Sequence, residues 1–343
     1  MKIARLFIEI GERDDWPKYF EKSEILRSRI ECYSSKLMNI YDPMNREMWN
    51  FEHQLEEWLG NVKDDDLETK YLLINSLSFF TFFNRNQCNA LFQEALNWPI
   101  IQWLIETKEY DILNPKLDKM LEENISHTLF SGATDSINIS DFRHICNIEN
   151  KHSITWKEYA DPEDSEKDRK KKIDLIEGNL RNWKYDQIVV LEDFVGSGKQ
   201  IKDVIDFLGL LKGWNIILIP LLICPQGDLF ISKYLSECKF DHISYRPVSI
   251  LPSELILGDI HRSEYEELPQ ILFSLKEYAT EIHNKVVNEK DKHAPGHLGH
   301  GQIGALFAKY TNCPNNTLPL FWYDENNAWE PLFKRNERRG HGG

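Results

Sequence analysis

Two adjacent carboxylates stand just ahead of a Gly-Ser-Gly-Lys turn in the stretch "IVVLEDFVGSGKQIKDVIDFL", residues 188–208. The acids are Glu192 and Asp193; the turn is Gly196, Ser197, Gly198 and Lys199, with Gln200 next. A nucleotide P-loop needs G-x-x-x-x-G-K-[ST], whose last hydroxyl holds Mg²⁺. Asp193 stands where that first glycine belongs, and Gln200 follows the lysine, so both anchor positions fail. A dinucleotide fingerprint needs G-x-G-x-x-G. Its third position is Ile201, so it fails too. The remaining chemistry uses the acids. A strand ending in Glu192–Asp193 sets two carboxylates at its C-terminal edge, where α/β sheets place ligands. The glycines and the first amides of the next helix make an anion nest. Acids at one end and amides at the other suit a ribose 5-phosphate, with the acids on the 2′ and 3′ hydroxyls. The alternative is a structural turn whose acids face water, and spacing alone leaves both open.

Positioning such a group takes a strand, a helix and a sheet around them. Residues 187–191 and 215–224 are apolar throughout rather than alternating, the pattern of parallel strands covered on both faces. The segment 199–212 between them reads as a helix, so the three form a βαβ unit. Further strands are expected at "TLFSGATDS" after residue 128, at 242–248, and in the pair "GALFAKY" and "LPLFWY". "PEDSEKDRKKKIDLIEGNLRNW" opens on acids and closes on bases, the order a helix dipole favours. Residues 14–125 read as helical, with apolar residues every three or four positions and Pro99 inside the pattern. The expected fold is α/β with a mostly parallel sheet, preceded by a helical N-terminal region. The expected division is 1–125, helical, and 126–343, α/β.

"VVLEDFVGSGKQ" resembles the phosphoribosyl-diphosphate signature of the type I phosphoribosyltransferases. The resemblance implies that Glu192 and Asp193 bind ribose hydroxyls and that Gly196 to Gln200 bind the 5-phosphate. Ser197 and Gly198 match the hydroxyl and glycine of that loop. Lys199 and Gln200 depart from it, and Gln200 brings an amide in place of a hydroxyl. Three stretches, "LFSGATDSINISDFRHICNI", "EDFVGSGKQI" and "CPNNTLPLFW", more narrowly resemble phosphoribosyltransferase-like proteins of bacterial conflict and anti-phage defence systems, including those encoded beside retron reverse transcriptases. The resemblance implies Mg²⁺ carried with phosphoribosyl diphosphate and touching Asp193. It also implies pyrophosphate or substrate contacts from Asp135, Ser136 and Arg143. Two functions follow. One is an effector enzyme whose leaving group departs through an oxocarbenium-like ribose stabilised by the acid pair and Mg²⁺. The other is a non-catalytic nucleotide sensor or scaffold that docks a protein or ribonucleoprotein partner, such as a reverse transcriptase complex, through the helical region.

The bland readings stand beside these. Asp135 and Ser136 could cap a helix, with Arg143 on the surface. "PNNT", residues 314–317, is a turn by composition, although Asn315 and Asn316 could also bond a base or a neighbouring loop. "HAPGHLGH", residues 293–300, spaces its histidines for a metal, but Pro295, Gly296 and Gly299 deny the helix that would gather them. An ordinary connection or a loop folding over a ligand fits better.

A net charge of −14 opposes bulk nucleic-acid binding by this chain, leaving only "KRNERR", residues 334–339, as a basic patch. The six cysteines are scattered without a C-x-x-C pair, which suits a reducing compartment. The N-terminus meets acids too early for a signal peptide. The longest apolar run, 216–224, is far too short to span a membrane. A soluble cytoplasmic protein is expected.

Overall fold

A computed structural model describes residues 3–18, 20–34, 41, 50–149, 151–258, 270–286, 296–324 and 329–335. Helices α1 (Ile3–Gly11), α2 (Ser23–Cys32), α3 (Phe51–Leu59) and α4 (Leu67–Ser76) come first. Strand β1 (Thr81–Phe83) leads to α5 (Arg85–Ala95), α6 (Ile101–Thr107) and α7 (Leu117–Ser126). Strands and helices then alternate: β2 (Thr128–Gly132), α8 (Ile139–Ile145), α9 (Glu166–Asn182), β3 (Gln187–Val195), α10 (Lys199–Leu208), β4 (Asn215–Ile223), α11 (Pro225–Cys238) and β5 (Ile243–Tyr245). Short β6 (Ser249–Ile250), α12 (Gln270–Val286) and β7 (Phe307–Lys309) follow.

The chain gathers into two compact units, 1–86 with 252–343, and 87–251. This differs from the single cut at residue 125 expected from composition. The reason is long-range pairing. β1 pairs in parallel with β7, Phe82 opposite Ala308. The Trp58 indole donates to the Leu320 carbonyl at 2.7 Å, and Phe80 lies against Phe321 and Phe333 with centroids 4.5 and 5.0 Å apart. The last quarter of the chain therefore folds with the first helices. "LPLFWY" is not a strand: Pro319 lacks the N–H that a ladder needs, and Pro319–Phe321 closes as a 3₁₀ turn.

The 87–251 unit is the α/β body. Its sheet is parallel throughout, in the order β2-β3-β4-β5, with β6 also on β4. The apolar runs are covered on both faces, as their sequence demands. Ile188 and Val190 pack with α9, α10 and α11; Val189 and Leu191 pack with α6, α7 and α8. Pro99 sits in a π-helical segment, Leu96–Ile100, joining α5 to α6. A proline cannot donate along the helix, and a wider turn absorbs that break. α9 lies where the acid-first, base-last order suggested a helix, and Ser165 caps it by accepting from the Asp168 N–H.

The six cysteines are not joined in disulfides. Burial pushes the Cys146 and Cys313 thiols up to about 12, whereas Cys32 is exposed. The thiolate is the nucleophile. Alkylation of native protein at pH 8, followed by peptide mass analysis, should therefore mark Cys32 and spare Cys146 and Cys313. No helix among the described residues is long and apolar enough to cross a membrane.

Candidate functional site

β3 carries the acid pair through its last turns of backbone, because the strand continues past Glu192 and Asp193 to Val195. Neighbouring strand residues point to opposite faces. Ile188 and Val190 enter one flanking core and Val189 and Leu191 the other, and Glu192 and Asp193 follow them towards the end of the strand. Above them the loop from β2 to α8 turns across the strand ends. Gly132 makes the turn tight: a Cβ there would stand 2.8 Å from the Thr134 carbonyl oxygen.

That loop grips both acids. The Thr134 N–H donates to Glu192 Oε2 at 3.0 Å, and the Thr134 hydroxyl lies 2.8 and 3.0 Å from Oε1 and Oε2. The Ser136 hydroxyl lies 2.6 Å from Glu192 Oε1 and 2.7 Å from Asp193 Oδ1. Thr134 Oγ1 and Ser136 Oγ are themselves 2.8 Å apart. Glu192 is 5% exposed, and Asp193 is half-buried. A buried carboxylate without donors would be costly, and the loop hydroxyls remove that cost.

The glycine turn follows at once. Gly198 has φ +77° and immediately precedes α10, a left-handed conformation that favours glycine. A Cβ there would lie 2.8 Å from the Phe230 ring, and one on Gly227 would lie 2.3 Å from the Gly196 carbonyl oxygen. The loop thus rests backbone to backbone on the first turn of α11. Lys199 and Gln200 are exposed at the start of α10, and Ser197 is half-buried. The first amides of a helix have no intrahelical acceptor and carry its positive dipole end. Acids and amides lie along one strand edge, an arrangement suited to a ligand with hydroxyls at one end and an anion at the other.

A family model, PRTase-CE, matches residues 55–335. The chain belongs to the PRTase-CE family. It is accordingly phosphoribosyltransferase-like, with the α/β, mostly parallel architecture and leading helices expected from sequence. The PRTase-CE match runs through both compact units and includes much of the helical region. No curated protein and no solved structure matches the chain.

Of the residues expected in the site from sequence, the 87–251 unit brings Ser136 to Glu192 and Asp193, with Gly196 to Gln200 following on the chain. Asp135 is exposed in the same loop, and neither it nor Ser136 caps α8; Asn138 does, accepting from Ser140 and Asp141. Arg143 bonds within its own helix. It is buried on α8, its Nε donates to the Ile139 carbonyl, and burial pushes its guanidinium down, with Tyr185 a smaller opposing influence. Arg143→Met should leave binding of inorganic pyrophosphate unchanged in calorimetric titration, and a loss would return Arg143 to the site. Asn315 and Asn316 belong to the other unit and stitch a turn. The Asn315 carbonyl accepts from the His300 N–H, and the Asn316 amide donates to the His300 carbonyl, each at 2.8 Å. His293 and Pro295 lie outside the described residues, as do residues 336–339 of the basic tail. Among the described residues no three of His, Cys, Asp or Glu gather to hold a metal ion.

Two contributors escaped the sequence reading. Thr134 was passed over beside Asp135, although its hydroxyl and amide both reach Glu192. Gly227 carried no motif at all.

Proposed function

We propose that the 87–251 unit of this PRTase-CE chain binds phosphoribosyl diphosphate or a related nucleotide. Glu192 and Asp193 take the ribose hydroxyls, and the backbone of Gly196 to Gln200 takes the 5-phosphate. The observation that supports this is the continuity of the acid pair, the left-handed Gly198 turn and the start of α10 along one strand edge. Mg²⁺ fits here only as a ligand-borne ion, since it is commonly held by one or two carboxylates plus substrate phosphates. Asp193 would supply the protein oxygen, and the ion would offset charge on the diphosphate.

In the catalytic version, fixed geometry carries the work. The nest holds the 5-phosphate, the acids hold the ring, and their negative charge favours positive charge developing at the anomeric carbon as pyrophosphate leaves. Incubation with phosphoribosyl diphosphate and Mg²⁺ across the common nucleobases, with pyrophosphate release as readout, tests this. Base-dependent release identifies the acceptor. Tight binding without release under all bases favours the sensor reading. That second reading has its own support: Lys199 and Gln200 replace the loop's usual small and hydroxyl residues.

We further place the protein as a cytoplasmic effector of a bacterial defence system, with a protein or ribonucleoprotein partner docking on its helical region. The resemblance of the three stretches supports this. A neighbouring reverse transcriptase or other defence gene agrees with it, and nucleotide-biosynthesis neighbours would contradict it.

A further inference from the structure

The Thr134 and Ser136 hydroxyls do at the acid pair what a ribose diol would do. They are two hydroxyls 2.8 Å apart, facing Glu192 at 2.6–3.0 Å and Asp193 at 2.7 Å. Neighbouring hydroxyls of a cis-diol stand at a similar mutual spacing. Neither residue is spent on capping, because Asn138 serves α8. The loop is also tied down on its own account: the Ala133 N–H donates to the Leu191 carbonyl at 2.8 Å, and the Lys157 N–H donates to the Ala133 carbonyl at 2.9 Å.

We infer that Thr134 and Ser136 form an internal surrogate of the ribose diol, which occupies the acid pair and must be displaced before a sugar can bind there. This inference rests on the ribose-binding reading of the site. A ribose 2′,3′-diol and the hydroxyl pair compete for the same carboxylate oxygens. The internal pair is an imperfect occupant, because Ser136 has one proton to give and two carboxylates within reach. An external diol brings two further donors, which lets the ligand win when the phosphate nest holds its other end. The apparent affinity is lowered by the fraction of protein in which the surrogate is engaged. The device keeps buried Glu192 satisfied and makes the site answer only to ligands that engage both ends.

The sign of one substitution separates this from a positioning role. Calorimetric titration of the full chain with ribose 5-phosphate is compared in wild type, Ser136→Ala and Ser136→Thr. Removing the competitor should tighten binding about tenfold in Ser136→Ala, the scale of one hydrogen bond to a charged group. Ser136→Thr restores the hydroxyl and should return the wild-type affinity. A second reading uses the wild-type protein: the Thr134 N–H donates to Glu192, so ribose 5-phosphate should speed its hydrogen exchange. Equal or weaker binding by Ser136→Ala, or slower Thr134 exchange with ligand, overturns the competition and leaves the ribose site standing. Binding by none of the three proteins removes the ribose site, and this inference with it.

Discussion

Asp193→Asn folds as the wild type does and binds phosphoribosyl diphosphate roughly 10- to 100-fold more weakly, the scale of one or two hydrogen bonds to a charged acceptor. The fold survives because the amide oxygen of Asn still accepts from the Ser136 hydroxyl, now 2.7 Å from Asp193 Oδ1. The residue lies near the strand's end and is half-buried, so no cavity opens. What is lost is the negative charge that a ribose hydroxyl and a ligand-borne cation would meet. The magnitude separates two roles. A loss confined to titrations containing Mg²⁺ assigns Asp193 to the ion, and an equal loss without Mg²⁺ assigns it to the sugar. Melting temperature and circular dichroism establish that the variant is folded.

Gly227→Ala is expected to damage the site from outside it. The new methyl would stand 2.3 Å from the Gly196 carbonyl oxygen and 3.2 Å from the Ile223 side chain. The first obstacle is backbone and cannot rotate away. Gly196 opens the glycine turn proposed to hold phosphate, and Gly227 lies in the first turn of α11. Helix and loop must therefore separate, at a cost of ~1–3 kcal/mol typical of overpacking. A thermal melt should show the destabilisation. Titration with inorganic phosphate should show loop damage as weaker binding. An unchanged melt and unchanged phosphate binding would mean that loop and helix are not in this close contact.

The strand–turn–helix unit was legible because its signals are local. Apolar residues without alternation mark a strand buried on both faces, and β3 and β4 appear where that pattern lies. The glycine turn and the amphipathic run after it mark the start of α10, which begins at Lys199 as expected. Failures came where the deciding contact is remote in sequence. Thr134 reaches Glu192 across 58 positions, and only the pairing of β2 with β3 brings them together. Arg143, seven residues from Ser136 in the sequence, bonds back to the Ile139 carbonyl within α8. The β1 strand was hidden inside a helical-looking region because three residues, Thr81–Phe83, are too few to show a period. Its partner β7 lies more than 200 residues on, which no local pattern can anticipate.

The most direct test of the central claim is equilibrium titration of the purified full chain with phosphoribosyl diphosphate and Mg²⁺, run in parallel on Asp193→Asn. Saturable binding that weakens at least tenfold in the variant is the predicted result, and it places the ribose at the acid pair. Equal binding by the two proteins, or none by a folded wild type, would contradict it.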